Sequence, residues 1–373
     1  MDSLFHPGGW DPGDAETREI QLSPSIRHDT CWFECLRGLD MTMDPRAFAA
    51  DIDALADHRY RFASACIWGG SNRDENDPLG QGDDMVEVAR GTAVVTGASS
   101  GIGLAAVEAL AADGWQVVAT ARNPDKAERL REIAAGSSDR IELGTLDVTD
   151  PGSVTAAIAD VIARHESIEL LVNNAGAGHR GTLEQLSDQD LEAVMDLNYL
   201  GVARCTREVL PGMRELGRGR IITVTSLNGV VAMPFSDAYN ASKFAVEGLM
   251  EGLAPVMRQF GVHVSVLEPG PVQTAFLQNA GGQTAKASDD DPYGPLLDSY
   301  NATMASLSTG STGESAEHVG QVIAEIARDP APALRYQSDD FPRQIAGQKL
   351  VDPTGESVVA QTSILLQGGV GQD

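Results

Sequence analysis

The sequence predicts an α/β fold: one doubly wound parallel sheet with helices on both faces, a C-terminal substrate lid, and a poorly ordered N-terminal extension. Three observations carry this. From residue 91 onward, short apolar runs alternate with amphipathic helical stretches, the pattern of βαβ units. Glycines and small polar residues fall at the ends of successive strands, where an open parallel sheet places its ligand crevice. The first 84 residues share none of that regularity.

The elements follow in order. Residues 92–96 form a short apolar strand running into a glycine-rich turn, and 102–113 a helix with Leu104, Val107 and Leu110 on one face. A second strand spans 115–121 (WQVVATA) and a second helix 125–135. Strands are expected at 141–147, 170–173, 220–225 and 262–267, with helices at 154–165, 188–210 and 238–260 between them. Right-handed crossovers wind these units into a single sheet. After Pro269 the alternation stops. Residues 277–313, rich in Ser, Ala, Gly and Asp with Tyr293, Leu296, Leu297 and Tyr300 scattered among them, predict a lid over an apolar slot.

Residues 1–84 hold 17 acidic and 7 basic side chains and no lysine. One helical stretch is expected at 44–60, with Phe48, Ile52 and Leu55 on a common face. The apolar residues are too few to offset the entropy of ordering, which favours poor order or a start of the chain proper at Met85 over a small appended module. The domain division is therefore 1–84 as extension and 85–373 as catalytic domain.

Composition excludes several classes. The chain of 373 residues carries a formal charge of -27, which repels nucleic acid and anionic membrane. No run approaches the ~18 apolar residues of a membrane span, and residues 1–10 lack a basic stretch followed by an apolar run, so no secretory signal is expected. Four cysteines without Cys-x-x-Cys spacing and scattered histidines predict neither a disulfide framework nor a metal site, so a reducing, cytoplasmic setting is expected.

The turn after the first strand reads Thr96-Gly97-Ala98-Ser99-Ser100-Gly101-Ile102-Gly103. Glycines there allow a sharp turn and close approach to a pyrophosphate seated on the helix N-terminal amides. At the end of the second strand, where an acid would hold a ribose 2′-hydroxyl, stands Arg122, whose guanidinium suits a 2′-phosphate with help from Ser100. NADP(H) is favoured over NAD(H). Asp147, with Val148 beside it, is placed for the adenine edge, and Asn174, Ala175 and Gly176 line the end of the fourth strand.

Tyr239 and Lys243 stand at i and i+4 on the second long helix, with Ser226 ending the preceding strand. A phenol is too weak an acid alone, but a lysine ammonium lowers its pKa, and a serine hydroxyl polarises a carbonyl. Asn198 could hold a water linking the lysine to solvent. Leu227, Met233, Phe235 and Phe276, with Ser226 and Tyr239, are the candidate substrate pocket.

On the residues TGASSGIG (96–103), NNAG (173–176), Asn198, Ser226, YNASK (239–243) and Pro269-Gly270, the chain resembles the short-chain dehydrogenase/reductase family. It is most similar to the group of 17β-hydroxysteroid dehydrogenase type 1 and the retinol dehydrogenases, through VVATARN (117–123), PFSDAYNASKFAVEGL (234–249) and EPGPVQTAF (268–276). The resemblance spans roughly 90–360. It implies a Rossmann-type fold, an Asn198-Ser226-Tyr239-Lys243 tetrad, and contacts from Pro269, Gly270, Val272 and Thr274 to the nicotinamide end of the cofactor. It also implies a homodimer or homotetramer. The expected activity is NADP(H)-dependent interconversion of a bulky apolar ketone or aldehyde and its alcohol. A catalytically silent NADP-binding regulator on the same fold is the alternative.

Overall fold

Four residues, Thr92–Val95 (β1), lie fully covered at the centre of a seven-stranded parallel sheet ordered β3-β2-β1-β4-β5-β6-β9. The computed structural model describes residues 90–136, 139–273, 291–310, 314–347 and 349. The predicted N-terminal extension, the 44–60 helix, Thr274, Phe276 and residues 277–290 and 311–313 of the lid region lie outside the described residues.

The other strands are Gln116–Ala121 (β2), Ile141–Thr145 (β3), Leu170–Asn173 (β4), Gly219–Val224 (β5), Val262–Glu268 (β6) and Arg335–Gln337 (β9). A two-residue pair, Val272–Gln273 (β7) with Glu314–Ser315 (β8), stands apart. Alternate side chains feed two cores, as the pleat requires. Ala93, Val95, Leu170, Val172 and Ile222 face one layer, while Val94, Leu171 and Ile221 face the other. Burial on both faces explains why the strands read as continuous apolar runs.

The first layer holds Gly101–Ala112 (α1) and Ala316–Arg328 (α8), which pack directly on one another. A Cβ on Gly320 would stand 2.7 Å from the Ala105 carbonyl, so only glycine permits that approach. Leu110 is fully buried in this layer with Ile323. Leu110→Ala is expected to cost about 2–5 kcal/mol, read as a lowered urea midpoint with an unchanged slope.

The second layer holds Pro151–His165 (α3), Gly201–Leu216 (α5) and Asp237–Arg258 (α6). Here the structure corrects two expectations. The helix expected at 188–210 is three pieces: Asp188–Met195 (α4), a π-helical turn over Asp196–Leu200, and α5, which runs through Pro211 to Leu216. The helix expected at 125–135 begins with a 3-10 turn, Pro124–Lys126, before Glu128–Gly136 (α2), because Pro124 favours a tight first turn.

The lid region is also more regular than its composition predicts: Gly294–Gly310 forms a helix (α7). Beyond it the α/β alternation resumes with α8, β9 and Asp340–Ala346 (α9). Among the described residues no helix is long and apolar enough to cross a membrane. Because β1 and β4 are neighbours while their chains wind outward in opposite directions, a crevice opens at their carboxyl ends. Gly97 follows β1 there and Asn174 follows β4.

Candidate active site

The turn after β1 is built with no spare volume. Gly97 and Gly101 take left-handed backbone angles (φ 66° and 56°). A Cβ on Gly97 would lie 2.8 Å from Ala175 Cα, and one on Gly103 would lie 2.4 Å from both the Gly97 carbonyl and Asn174 Nδ2. Hydrogen bonds lock the two strand ends together. The Thr96 hydroxyl accepts from the Asn174 and Ala175 backbone N–H at 3.0 and 3.1 Å, and Asn174 Nδ2 donates to the Thr96 and Gly97 carbonyls at 3.0 and 3.1 Å. Ser100 caps α1 without a side-chain hydrogen bond, and no acid stands in that first turn. Ser99 and Ser100 are exposed beside it. The cradle fits a dinucleotide pyrophosphate: its backbone comes close because no side chain intervenes, and the α1 amides carry the positive end of a helix dipole.

Arg122 stands exposed just beyond β2, near enough to Asp147 for its charge to be felt. Burial opposes ionisation of Asp147, but the hydroxyl and N–H of Thr149, both donating to Oδ1, and the Arg122 charge outweigh it and hold the carboxyl below its ordinary range. Val148 is packed beneath Gly201, and its carbonyl accepts from Arg204 at 3.0 Å.

The catalytic candidates converge at the same edge. The i, i+4 spacing on α6 brings Lys243 Nζ to 5.7 Å from the centroid of the Tyr239 ring. Lys243 is buried (5% exposed), and its ammonium donates to the Val224 carbonyl at 3.0 Å. Burial drives its pKa down to about 8, the negative charge of Glu247 working against that fall. Burial also pushes the Tyr239 phenol up to about 12, opposed by its hydrogen bond with the Ser226 hydroxyl. Ser226 Oγ accepts the Asn228 N–H at 3.1 Å, and Leu227 N donates to the Pro269 carbonyl at 2.9 Å, which fixes the serine loop against the turn after β6.

Asn198 lies in the π-helical turn rather than in a regular helix. Its Oδ1 accepts from Ala177 N and its Nδ2 donates to Ala177 O, both at 2.9 Å, and Nδ2 also donates to Ser242 Oγ at 3.1 Å. Gly176, just before, is the close point: a Cβ there would lie 3.1 Å from Asn198 Oδ1 and 3.8 Å from Lys243 Nζ.

Of the substrate-pocket candidates, Leu227 (3% exposed) and Phe235 (5%) are packed inside, whereas Met233 is half-buried. Phe235 has a left-handed φ of 58° and meets Tyr300 of α7 edge-on, ring centroids 5.7 Å apart. Gly270 N donates to Glu314 Oε1 at 3.3 Å, and Val272 is buried in β7.

Sequence reasoning missed several supporting groups. Asn240 holds the loop before α6 by donating to the Met233 carbonyl at 2.8 Å while accepting from Asn228 Nδ2 at 2.8 Å. Ser242 donates to the Tyr239 carbonyl at 2.8 Å. Both lie inside the YNASK run, and their intermediate positions were the available signal. Arg180, whose guanidinium stands 5.3 Å from the Tyr300 ring centroid, had none.

Comparison with known proteins agrees with this geometry. The family model for short chain dehydrogenases matches residues 91–285. Human 17-beta-hydroxysteroid dehydrogenase type 1 is 36% identical over 279 residues, covering 73% of this chain and 84% of that protein. Human retinol dehydrogenase 8 is 36% identical over 284 residues, covering 74% and 90%. Among solved structures, a short-chain dehydrogenase from Streptomyces avermitilis superposes with a TM-score of 0.61 at 30% identity, covering 74% of this chain and 96% of that one. A metagenomic short-chain oxidoreductase in complex with NADP gives 0.54 at 26%, covering 67% and 97%. With the cradle and the Tyr-Lys helix in place, the chain belongs to the short-chain dehydrogenase family and is an oxidoreductase acting on CH–OH groups.

Proposed function

We propose that the chain interconverts a hydrophobic ketone or aldehyde and its alcohol with NADP(H), Tyr239 serving as general acid and base. The observation that carries this is the meeting of Tyr239, Ser226 and Lys243 at the carboxyl edge of the sheet, beside a glycine cradle with no room for side chains. Thr96 to Gly103 and Asn174 to Gly176 would hold the dinucleotide, with Arg122 and Ser100 on the 2′-phosphate and Asp147 at the adenine edge. The turn through Pro269, Gly270, Val272 and Thr274 would flank the nicotinamide. When bound, NADPH supplies the hydride.

The protein's own groups handle the oxygen. Ser226 hydrogen-bonds and orients the carbonyl. Tyr239 gives its proton to that oxygen as the alcohol forms, and takes it back in the oxidative direction. The buried Lys243 ammonium stabilises the phenolate left behind, which offsets the burial that makes Tyr239 a poor acid. Asn198, gripping Ala177 on both sides, holds the loop after β4 against α6.

The named relatives act on a steroid alcohol and on retinol, which supports a bulky apolar substrate. The chain would self-associate, as the family resemblance implies, through the helices α5 and α6.

The test is loss of reduced-nicotinamide absorbance on mixing the full chain with NADPH or NADH and a panel of steroid ketones, retinaldehyde and long-chain aldehydes. NADPH consumption matched by alcohol product is the expected result. Tight cofactor binding with no turnover of any carbonyl or alcohol in the panel would favour the silent regulator instead.

A further inference from the structure

One turn beyond Lys243 on α6 stands Glu247, at i+4 and only 5% exposed. Its Oε2 pairs with Arg335 Nη1 of the edge strand β9. The same guanidinium nitrogen reaches Glu268 Oε1 of β6 at 2.9 Å, and Nη2 reaches Glu251 on the solvent side of α6. Glu268 is fully buried, and its second oxygen accepts from Gln337 Nε2 at 2.9 Å. Glu247 Oε1 is buried with no hydrogen-bond partner of standard geometry, although the Thr225 hydroxyl lies close enough to be felt. The Glu247 side chain also wedges under the loop that follows Ser226: a Cβ on Gly229 would touch Glu247 Cγ at 3.0 Å.

Buried charges persist when they are paired. Two buried carboxylates, Glu247 and Glu268, share one guanidinium and leave one negative charge over. The buried cation one turn away is Lys243, whose acceptor is an uncharged carbonyl. The two surpluses match. Lys349 approaches from beyond α9, donating to the Val230 carbonyl and lying 3.9 Å from the Phe244 ring centroid. It adds positive charge at the outer edge that Glu247 and Glu268 both feel, without forming an ion pair with either.

We propose that Glu247 is a positioning residue for Lys243: anchored by Arg335, it is the countercharge that keeps the buried ammonium protonated and directed at Tyr239. This rests on the reading of Tyr239 and Lys243 as the proton-transfer pair. The groups facing Glu247 are Lys243 and Glu251 from α6, Thr225 at the end of β5, Glu268 from β6, Arg335 from β9, and Lys349. Their effects agree with the role. Burial raises Glu247 to about 6, with Thr225 and Arg335 opposing and Glu268 reinforcing, while Lys243 falls to about 8. Between those values both groups are charged, and the carboxylate one turn away favours the ammonium.

The test is the pH dependence of kcat/KM for carbonyl reduction by the full chain with NADPH. Wild type is expected to lose activity as Lys243 deprotonates above pH about 8. Glu247→Gln keeps the shape and removes the charge, so the alkaline limb moves to lower pH by roughly 1 unit, the scale of a nearby opposite charge. Glu247→Asp restores the limb. Arg335→Gln removes the anchor that holds the Glu247 carboxylate in place, so the limb again moves down; this variant carries the test if Glu247→Gln does not fold. A limb at the wild-type pH in the folded variants, with only a uniform drop in rate, overturns the proposal and leaves Glu247 a structural tie. Tyr239→Phe separates the two failures: if that variant keeps activity, the proton-transfer reading itself is wrong; if it is dead while Glu247→Gln keeps the native profile, only the Glu247 role falls.

Discussion

Tyr239→Phe is expected to lose about 10^2 to 10^4 of kcat in carbonyl reduction while its cofactor affinity and melting temperature stay close to wild type. The reasoning is volumetric as much as chemical. Phenylalanine keeps the ring that lies against Lys243 and deletes only the oxygen that meets the Ser226 hydroxyl. Helix α6 starts at Asp237, held from outside by the Leu183 N–H at 2.8 Å, so the turn bearing residue 239 does not depend on the phenol oxygen. What disappears is the proton that must reach the substrate oxygen as the carbonyl is reduced. Single-turnover reduction in stopped flow reads the chemical step directly. A loss of less than tenfold would show that another group delivers the proton.

Arg122→Asp is expected to reverse cofactor choice, lowering kcat/KM with NADPH by about 10- to 150-fold while NADH gains. That range corresponds to one charge-assisted hydrogen bond of about 1.5–3 kcal/mol. Arg122 is exposed at the end of β2, so the substitution removes no packing. The carboxylate would repel a 2′-phosphate and accept from a free 2′-hydroxyl. The effect belongs in KM, because no group near Tyr239 changes. Steady-state constants for both cofactors with one carbonyl suffice, and an unchanged NADPH preference would move 2′-phosphate recognition away from Arg122. Asp147 gives an internal check: it loses the Arg122 charge that helps hold its pKa down, so its carboxyl titrates at higher pH in the variant.

The sheet was legible because its strands are buried on both faces and are read as unbroken apolar runs. The glycine turn was legible because only glycine tolerates its backbone angles and contacts. Tyr239 and Lys243 were legible as a pair because helical spacing alone puts them on one face. The π-helical turn at Asp196–Leu200 was not, since it keeps the composition of an amphipathic helix and changes only the hydrogen-bond partner. Helix α8 carried a readable signal, Val319, Ile323 and Ile326 at i, i+4, i+7, but the Ser- and Gly-rich stretch before it suggested that regular structure had ended. The ties at Asn240 and Glu247 depend on where Met233 and Arg335 arrive in space. One of these is a loop and the other an edge strand 88 residues away.

The packing of α1 on α8 has a consequence for biosynthesis. α1 begins the catalytic fold and α8 comes near its end; Arg328 meets Asp113 across 215 residues of sequence at 3.0 Å. A growing chain therefore emerges with the apolar face of its cofactor helix bare, and nothing synthesised early can take the place of Ile323 and Gly320. Through most of translation that face is a sticky surface awaiting a distant partner, so folding is of high contact order. Truncation anywhere between residues 244 and 316 would release a polypeptide that holds every proposed catalytic group and still cannot close the layer behind its cofactor cradle.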